Sequence, residues 1–469
     1  MKIEQIYTGC LAQGAYYIES KGEVAIIDPL REVKPYLDKA KLNDANIKYI
    51  FETHFHADFV SGHVTLSKKT GAPIIYGPNA ETSFDAIIAK DGQEFKLGDI
   101  TITVLHTPGH TMESSIFLLK DENGKDHAIF SGDTLFLGDV GRPDLAQKMG
   151  EITEKDLAGF LYNSIRTKIM PLADDVIVYP AHGAGSSCGK NLSKETIDTL
   201  GNQKKTNYAL RENMTKEEFI EEVTHGLLPP PQYFPLNVKM NKEGYDDFQD
   251  VLERSAQALN PDDFEDTANK TEAIILDVRH QDEFVKGHIP RSIFIGLDGS
   301  FAPWVGALIA DVKQPILLVT PEGREEEAIT RLSRVGFDAT IGYLKGSFNA
   351  WKKASKEYDT ISSIPAADFK ISYEKNNIPV FDVRKQGEYL SEHVINAKNT
   401  PLDYLNDYLP EFPETGIFYV HCAGGYRSVI AASILKSRGI HNFIDVKEGF
   451  KAIKETEIKI SDYVCPSTL

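Results

Sequence analysis

Short apolar runs broken by Gly, Pro, Asn and Asp dominate the chain to about residue 185. Runs of this length and composition read as strands. Four of them, at 47–51, 100–105, 128–130 and 176–179, each lead into a turn that carries His or Asp. The turns are Thr53-His54-Phe55-His56-Ala57-Asp58, Thr107-Pro108-Gly109-His110, Ser131-Gly132-Asp133 and Pro180-Ala181-His182-Gly183. Past that point 193–211 reads as a helix. Thr215-Lys216-Glu217-Glu218 opens another with a capping box, which Pro229-Pro230-Pro231 closes. The mixed stretch from Tyr233 to about Pro261 marks a domain boundary.

Beyond the boundary the pattern repeats. Ile275-Leu276-Asp277-Val278-Arg279, Glu283-Phe284 and His288-Ile289-Pro290 return as Val380-Phe381-Asp382-Val383-Arg384, Glu388-Tyr389 and His393-Val394. Each copy then has an apolar strand (316–319, 417–420), a polar loop (321–324, 422–427) and a helix (325–335, 428–438). Alternating strands and helices imply βα units on a parallel sheet. The period is one small domain, so this is a tandem duplication rather than a solenoid.

Composition narrows the partners. The chain has 469 residues and 41% hydrophobic content, enough for several cored domains. A net charge of −18 argues against nucleic acid and against an anionic membrane surface. No run approaches a transmembrane length, and the N-terminus lacks a signal-peptide pattern. Cys10, Cys188, Cys422 and Cys465 lie far apart, which argues for a reduced cytoplasmic setting and not a disulfide framework.

Two imidazoles and a carboxylate at alternate positions of a tight loop can converge on a metal, and further His and Asp at parallel strand ends describe a metal-bearing sheet edge. The order resembles the metallo-β-lactamase fold, whose pattern is H-x-H-x-D-H, an isolated His, an Asp and a last His. Here these are His54, His56 and Asp58, then His110, Asp133 and His182. One position departs: the residue after Asp58 is Phe59. Two-zinc hydrolases of the fold place a second-metal ligand there, and phenylalanine cannot ligate, so a mononuclear centre is expected. His56, Asp58 and His182 are then read as residues that hold and orient the site or face the substrate. Arg142, in Gly141-Arg142-Pro143-Asp144, admits two readings, a surface ion pair or a contact to an anionic substrate. Cys188 reads as packing before redox, and His63, His106, His127 and His225 as solvated or locally hydrogen-bonded.

Both later copies resemble rhodanese domains. The most specific element is Cys422-Ala423-Gly424-Gly425-Tyr426-Arg427-Ser428, a loop from strand to helix with cysteine first and arginine last. Its glycines let backbone N–H groups turn inward, the helix start adds positive potential, and Arg427 adds charge. Such a cradle stabilises a thiolate or persulfide at Cys422. The first copy has Thr320-Pro321-Glu322-Gly323-Arg324 and no thiol, so it reads as catalytically silent. His421 reads as the end of a strand before it reads as an assistant to Cys422.

Together these parts resemble the persulfide dioxygenase–rhodanese fusion proteins of bacterial sulfide detoxification, over nearly the whole chain. The resemblance implies an αββα metallo-β-lactamase sandwich at 1–245, a silent rhodanese-like α/β domain with a parallel sheet at 262–360 and an active one at 365–460. It implies one mononuclear Fe(II) held by His54, His110 and Asp133, with thiol persulfides, O2, sulfite and thiosulfate as small-molecule partners. A homo-oligomer is expected. The alternative is a glyoxalase II-like zinc thioester hydrolase fused to a sulfurtransferase. A non-catalytic sulfur carrier is the third reading.

Overall fold

The computed structural model describes residues 1–146, 151–190, 192–227, 229–376 and 378–465. Contacts divide the chain into two units: Met1–Val251 with Ser333–Gly336, and Leu252–Leu332 with Phe337–Leu469.

The first unit holds two six-stranded sheets. The first sheet contains, in spatial order, β1 (Lys2–Thr8), β2 (Gln13–Ser20), β3 (Glu23–Ile27), β4 (Asn46–Phe51), β5 (Ile74–Tyr76) and β6 (Ile87–Ile88). The second contains β7 (Glu94–Leu97), β8 (Ile100–His106), β9 (Ser115–Lys120), β10 (Asp126–Gly132), β11 (Ile177–Pro180) and β12 (Asp198–Thr199), ordered from β12 back to β7. Strand alternation sorts the side chains between layers. Tyr16 and Ile18 of β2 and Ala25 and Ile27 of β3 meet Ile102, Phe117, Leu119 and Phe130 of the opposite sheet in one core. The intervening Ala15, Tyr17, Val24 and Ile26 face Tyr36, Ala40 and Leu66, which lie on the helices Lys34–Leu42 and His63–Thr70. On the far side Ile116, Leu118 and Ile129 pack on Ala158, Leu161 and Phe219 of the helices Glu154–Ser164 and Lys216–Thr224. The inner strands of both sheets are buried on both faces, hence their nearly continuous apolar sequences. This is the expected αββα sandwich.

The expected helix at 193–211 is mostly something else. Asp198–Thr199 is a short strand antiparallel to β11, and α-helix runs only over Leu200–Thr206. The Thr199 side chain accepts from Asn202 N and starts that helix late. The capping box is present: Thr215 and Glu218 cap the helix Lys216–Thr224 reciprocally. That helix ends before the prolines, with His225 already extended.

The second unit holds two five-stranded parallel sheets. One comprises β13 (Ala258–Leu259), β14 (Ile274–Asp277), β15 (Ile293–Phe294), β16 (Ile316–Val319) and β17 (Thr340–Leu344) in the order β13-β17-β16-β14-β15. The other comprises β18 (Ser363–Ile364), β19 (Val380–Asp382), β20 (Lys398–Asn399), β21 (Phe418–His421) and β22 (Phe443–Val446) in the order β18-β22-β21-β19-β20. The order is the same in both, so the sequence repeat is a repeat of topology. In each copy the DVR aspartate grips its arginine: Asp277 with Arg279 and Asp382 with Arg384, both pairs buried. Among the described residues no helix is long and apolar enough to cross a membrane.

Candidate functional site

Four strand ends of the first unit bring their polar residues to one place. His54 follows β4, His110 follows β8, Asp133 follows β10 and His182 follows β11. Ligand atoms of His54, His110 and Asp133 lie within 4.8 Å of one another, and all three residues are buried. His110 Nε2 is 3.4 Å and His54 Nε2 3.9 Å from Asp133 Oδ2. Gly132 permits this approach: its φ is +52°, and a Cβ there would stand 2.7 Å from the Thr53 side chain.

Both imidazoles are aimed. His110 Nδ1 donates to the Arg142 carbonyl at 2.8 Å, leaving the Nε2 lone pair facing Asp133. Thr53 Oγ1 lies 2.8 Å from Asp28 Oδ2 and 3.0 Å from His54 Nδ1. A hydroxyl has one proton to give. Thr53 gives it to Asp28, so it accepts from His54 Nδ1–H, and His54 Nε2 is left free to ligate. Burial, then the neighbouring imidazoles His56, His110 and His182, hold His54 well below the usual histidine range. Neither Asp133 oxygen has a hydrogen-bond partner, nor does His182 Nε2. A buried carboxylate without donors is costly unless a cation supplies the missing interaction. The donor set and its orphaned atoms therefore fit a metal ion.

His56 points its Nε2 elsewhere, to Asp28 Oδ1 at 3.1 Å and Glu52 Oε2 at 3.4 Å. Burial alone would lower its pKa, but the two carboxylates raise it well above the usual range. Phe59 is fully buried and lies against the His56 ring, with centroids 4.3 Å apart. His182 Nε2 is 3.4 Å from Asp58 Oδ2 and 3.5 Å from Asp133 Oδ1. His56, Asp58 and His182 thus form a second buried group whose ligand atoms lie within 4.8 Å of one another.

Arg142 and His63 depart in part from their sequence readings, and the burial of Cys188 is what a packing residue shows. Arg142 is buried, not on the surface, and its Nε and Nη2 grip Asp144, each at 2.6 Å. His63 is fully buried against Glu52 at 3.2 Å, so it is not solvated. Cys188 is buried beside Asp133 and His182, its thiol pushed well up by burial and then by Asp133 and Asp58. Asp28, Glu52 and Thr53 were missed as site residues. Asp28 carried the usable signal, an aspartate just past an apolar strand and before Pro29.

In the second unit Cys422 is buried directly after β21. Gly425, at φ +95°, N-caps the helix Tyr426–Ser437 and donates its N–H to Cys422 Sγ at 3.1 Å. Tyr426, Arg427 and Ser428 therefore open the helix instead of closing a loop. Arg427, read as adding charge to the cradle, is paired: its two terminal nitrogens grip Glu388 at 2.6 and 2.9 Å. Ser428 Oγ donates to the Gly425 carbonyl at 3.3 Å. Ala423 is held from behind, its carbonyl accepting from Lys451 N at 3.0 Å, while Gly424 is exposed. His421 is the last residue of β21, and burial lowers its pKa. In the first copy the matching place holds a carboxylate: Glu325 Oε1 accepts from Gly323 N at 3.2 Å and from Thr320 Oγ1 at 3.3 Å.

Residues 8–182 match the metallo-beta-lactamase superfamily, and residues 260–354 and 366–456 match the rhodanese-like domain. Hydroxyacylglutathione hydrolase GloC of Haemophilus influenzae is 30% identical over 213 residues, covering 40% of this chain and 94% of the relative. The mitochondrial persulfide dioxygenase ETHE1 of Homo sapiens is 28% identical over 222 residues, 47% of this chain and 78% of the relative. A crystal structure of a metallo-beta-lactamase from Staphylococcus aureus subsp. aureus COL is 31% identical with a TM-score of 0.64, covering 74% of this chain and 98% of that one. The chain belongs to the metallo-β-lactamase superfamily, and its superfamily domain is followed by two rhodanese-like domains.

Proposed function

We propose that the first domain is a mononuclear Fe(II) persulfide dioxygenase and that the second rhodanese-like copy is a sulfurtransferase. His54, His110 and Asp133 would hold the iron; two imidazoles and one carboxylate on one face leave positions open for substrate sulfur and O2. When bound, a ferrous ion there supplies the redox chemistry by which O2 oxidises the terminal sulfur. The balance is RSSH + O2 + H2O → RSH + SO3²⁻ + 2 H⁺; the sulfane sulfur loses the electrons that O2 gains. The chain's own part is placement. Asp28 and Thr53 aim His54, the Arg142 carbonyl aims His110, and buried walls exclude bulk water.

At the second site the Cys422 thiolate attacks the sulfane sulfur of a persulfide. The donor S–S bond breaks as the Cys422 S–S bond forms, and RSH leaves. Sulfite then attacks the outer sulfur, thiosulfate leaves and the thiolate returns; the steps also run in reverse. The Gly425 N–H stabilises the Cys422 thiolate. Covalent fusion raises the effective sulfite concentration at Cys422. The reading implies a cytoplasmic, homo-oligomeric enzyme of sulfide detoxification acting on small molecules.

The observation that carries the reading is Phe59, an apolar side chain where a two-metal hydrolase needs a ligand. The human relative's name supports it. The second reading, a glyoxalase II-like zinc thioester hydrolase with a sulfurtransferase, is favoured by the His56, Asp58 and His182 group and by the GloC relative. Metal analysis of anaerobically prepared protein, then an oxygen-electrode assay with a panel of thiol persulfides, separates them. The first expects about one iron per chain and persulfide-dependent O2 uptake. Two zinc ions with thioester hydrolysis and no O2 uptake would establish the second.

A further inference from the structure

The cysteine loop is pinned from three sides. The helix Gly449–Lys454 of its own domain holds one end: Phe450 N donates to the Cys422 carbonyl at 2.6 Å and Lys451 N to the Ala423 carbonyl at 3.0 Å. Glu388 holds the other end through Arg427. The third pin is not in the same domain. Tyr426, immediately after the Gly425 that donates to Cys422 Sγ, turns its side chain into the first copy and donates its hydroxyl to the Gly296 carbonyl at 2.7 Å.

The first copy is shaped to receive it. The Tyr426 ring meets Phe294 edge-on, with centroids 5.9 Å apart at 71°. Gly299 lies so close that a Cβ there would stand 2.4 Å from Tyr426 Cζ. Phe294 N, on the edge strand β15, donates to Ser433 Oγ in the helix that follows the cysteine loop, at 2.9 Å. The seat is itself braced by the region that replaces a cysteine loop in the first copy. Arg324 pairs with Asp298 at 2.8 Å, and Arg331 Nη1 donates to the Leu297 carbonyl at 2.6 Å. Glu327 joins the two arginines. Sulfur chemistry in the first copy requires none of these contacts. They all converge on the segment that holds Tyr426.

We infer that the first rhodanese-like copy is the third anchor of the sulfur-transfer loop, and that Tyr426 is the positioning residue through which it acts. The inference rests on the sulfurtransferase reading of Cys422. The physical path is short. Gly425 N–H stabilises the thiolate only while it points at Sγ, and the next residue's ring and hydroxyl fix the direction in which the helix leaves Gly425. Releasing Tyr426 frees that helix start to rotate, which misaims the N–H and lowers the thiolate fraction. A spacer domain would leave the thiolate unaffected by such a change.

The test uses the full chain. Two variants are made: Tyr426→Phe, which removes only the hydroxyl, and Gly299→Ala, which leaves the sequence of the second copy untouched. The readout is the pH profile of Cys422 alkylation by iodoacetamide, followed by peptide mass analysis at Cys422. It needs no turnover, so it stands apart from the sulfurtransferase reading, which wild-type transfer and its loss in Cys422→Ser test separately. Loss of one such hydrogen bond predicts an alkylation rate at neutral pH lower by about fivefold, through a profile moved to higher pH with its alkaline limit kept. Gly299→Ala moves the profile in the same direction. In a Tyr426→Ala background Gly299→Ala adds nothing further, because its effect runs through the ring. If one variant does not fold, the other decides. Unchanged profiles in folded Tyr426→Phe and Gly299→Ala would overturn the inference, as would full additivity of Gly299→Ala with Tyr426→Ala.

Discussion

The main-chain carbonyl of Arg142 accepts a hydrogen bond from His110 Nδ1 at 2.8 Å. The residue thus serves the candidate metal centre through its backbone, while its guanidinium is engaged with Asp144. Arg142→Ala keeps the carbonyl and removes the buried ion pair. The expected variant retains its metal stoichiometry but loses about 3 kcal/mol of stability, the usual cost of stripping one partner from a buried pair. Metal analysis beside thermal unfolding checks this. A well-folded variant without metal would assign the guanidinium a direct role.

Thr53 joins Asp28 to His54 through one hydroxyl. Thr53→Val preserves shape and removes the link. Metal affinity should fall about 10–100-fold, in line with other residues that orient ligands. His110→Ala and Asp133→Ala should abolish metal binding and O2 uptake, while thiosulfate-to-cyanide transfer at Cys422 continues. Competition with a chelator measures the first effect, and paired activity assays the second.

Cys422→Ser should consume O2 near the wild-type rate and release sulfite in place of thiosulfate, because a hydroxyl cannot carry sulfane sulfur. Arg427→Ala should act in the same direction less completely, since Gly425 N–H remains. Sulfite and thiosulfate are quantified during persulfide turnover, with correction for their uncatalysed reaction. An unchanged product ratio in Cys422→Ser would uncouple the two sites.

The first copy should contribute no sulfur transfer of its own. It lacks a loop thiol, and the Glu325 carboxylate takes the Gly323 N–H. In the full chain, Cys422→Ser should therefore eliminate thiosulfate-to-cyanide activity entirely. Residual catalysis above the reagent background would locate a second sulfur-transfer site.

Asp445, on β22 beneath the loop helix, is pushed up to about 6, chiefly by burial, which outweighs the hydrogen bond from Ser363. Its unfolded value is about 3.9. Between those values the folded chain holds a proton that the unfolded chain has released, so this group's contribution to stability falls as pH rises. Above pH 6 the penalty is complete and constant. Asp445→Asn should gain about 3 kcal/mol above that pH and little near pH 4. Denaturant unfolding at the two pH values measures the difference. Equal effects at both would show that the carboxyl is not protonated by folding.

How much was legible follows from the range of each signal. Strands β4, β8, β10 and β11 and the His or Asp that follows each could be read locally, because an apolar run closed by a turn is written in consecutive residues. The topological repeat was legible for the same reason. The helix expected over 193–211 failed because Asp198–Thr199 is claimed by the edge of β11, a partner some twenty residues away. Local propensity could not see that competition.

The sequence by itself determined which candidate groups the chain carries: the His and Asp set, the apolar Phe59, one cysteine loop and its thiol-less copy. The tertiary structure alone decided how those groups are held. It put Asp28 behind Thr53, Glu52 between His56 and His63, Glu388 on Arg427 and Gly296 on Tyr426. Most of these pairs join residues far apart in the chain. Their distances are set by how sheets and helices stack, and that stacking is a property of the whole packed core, not of any one segment.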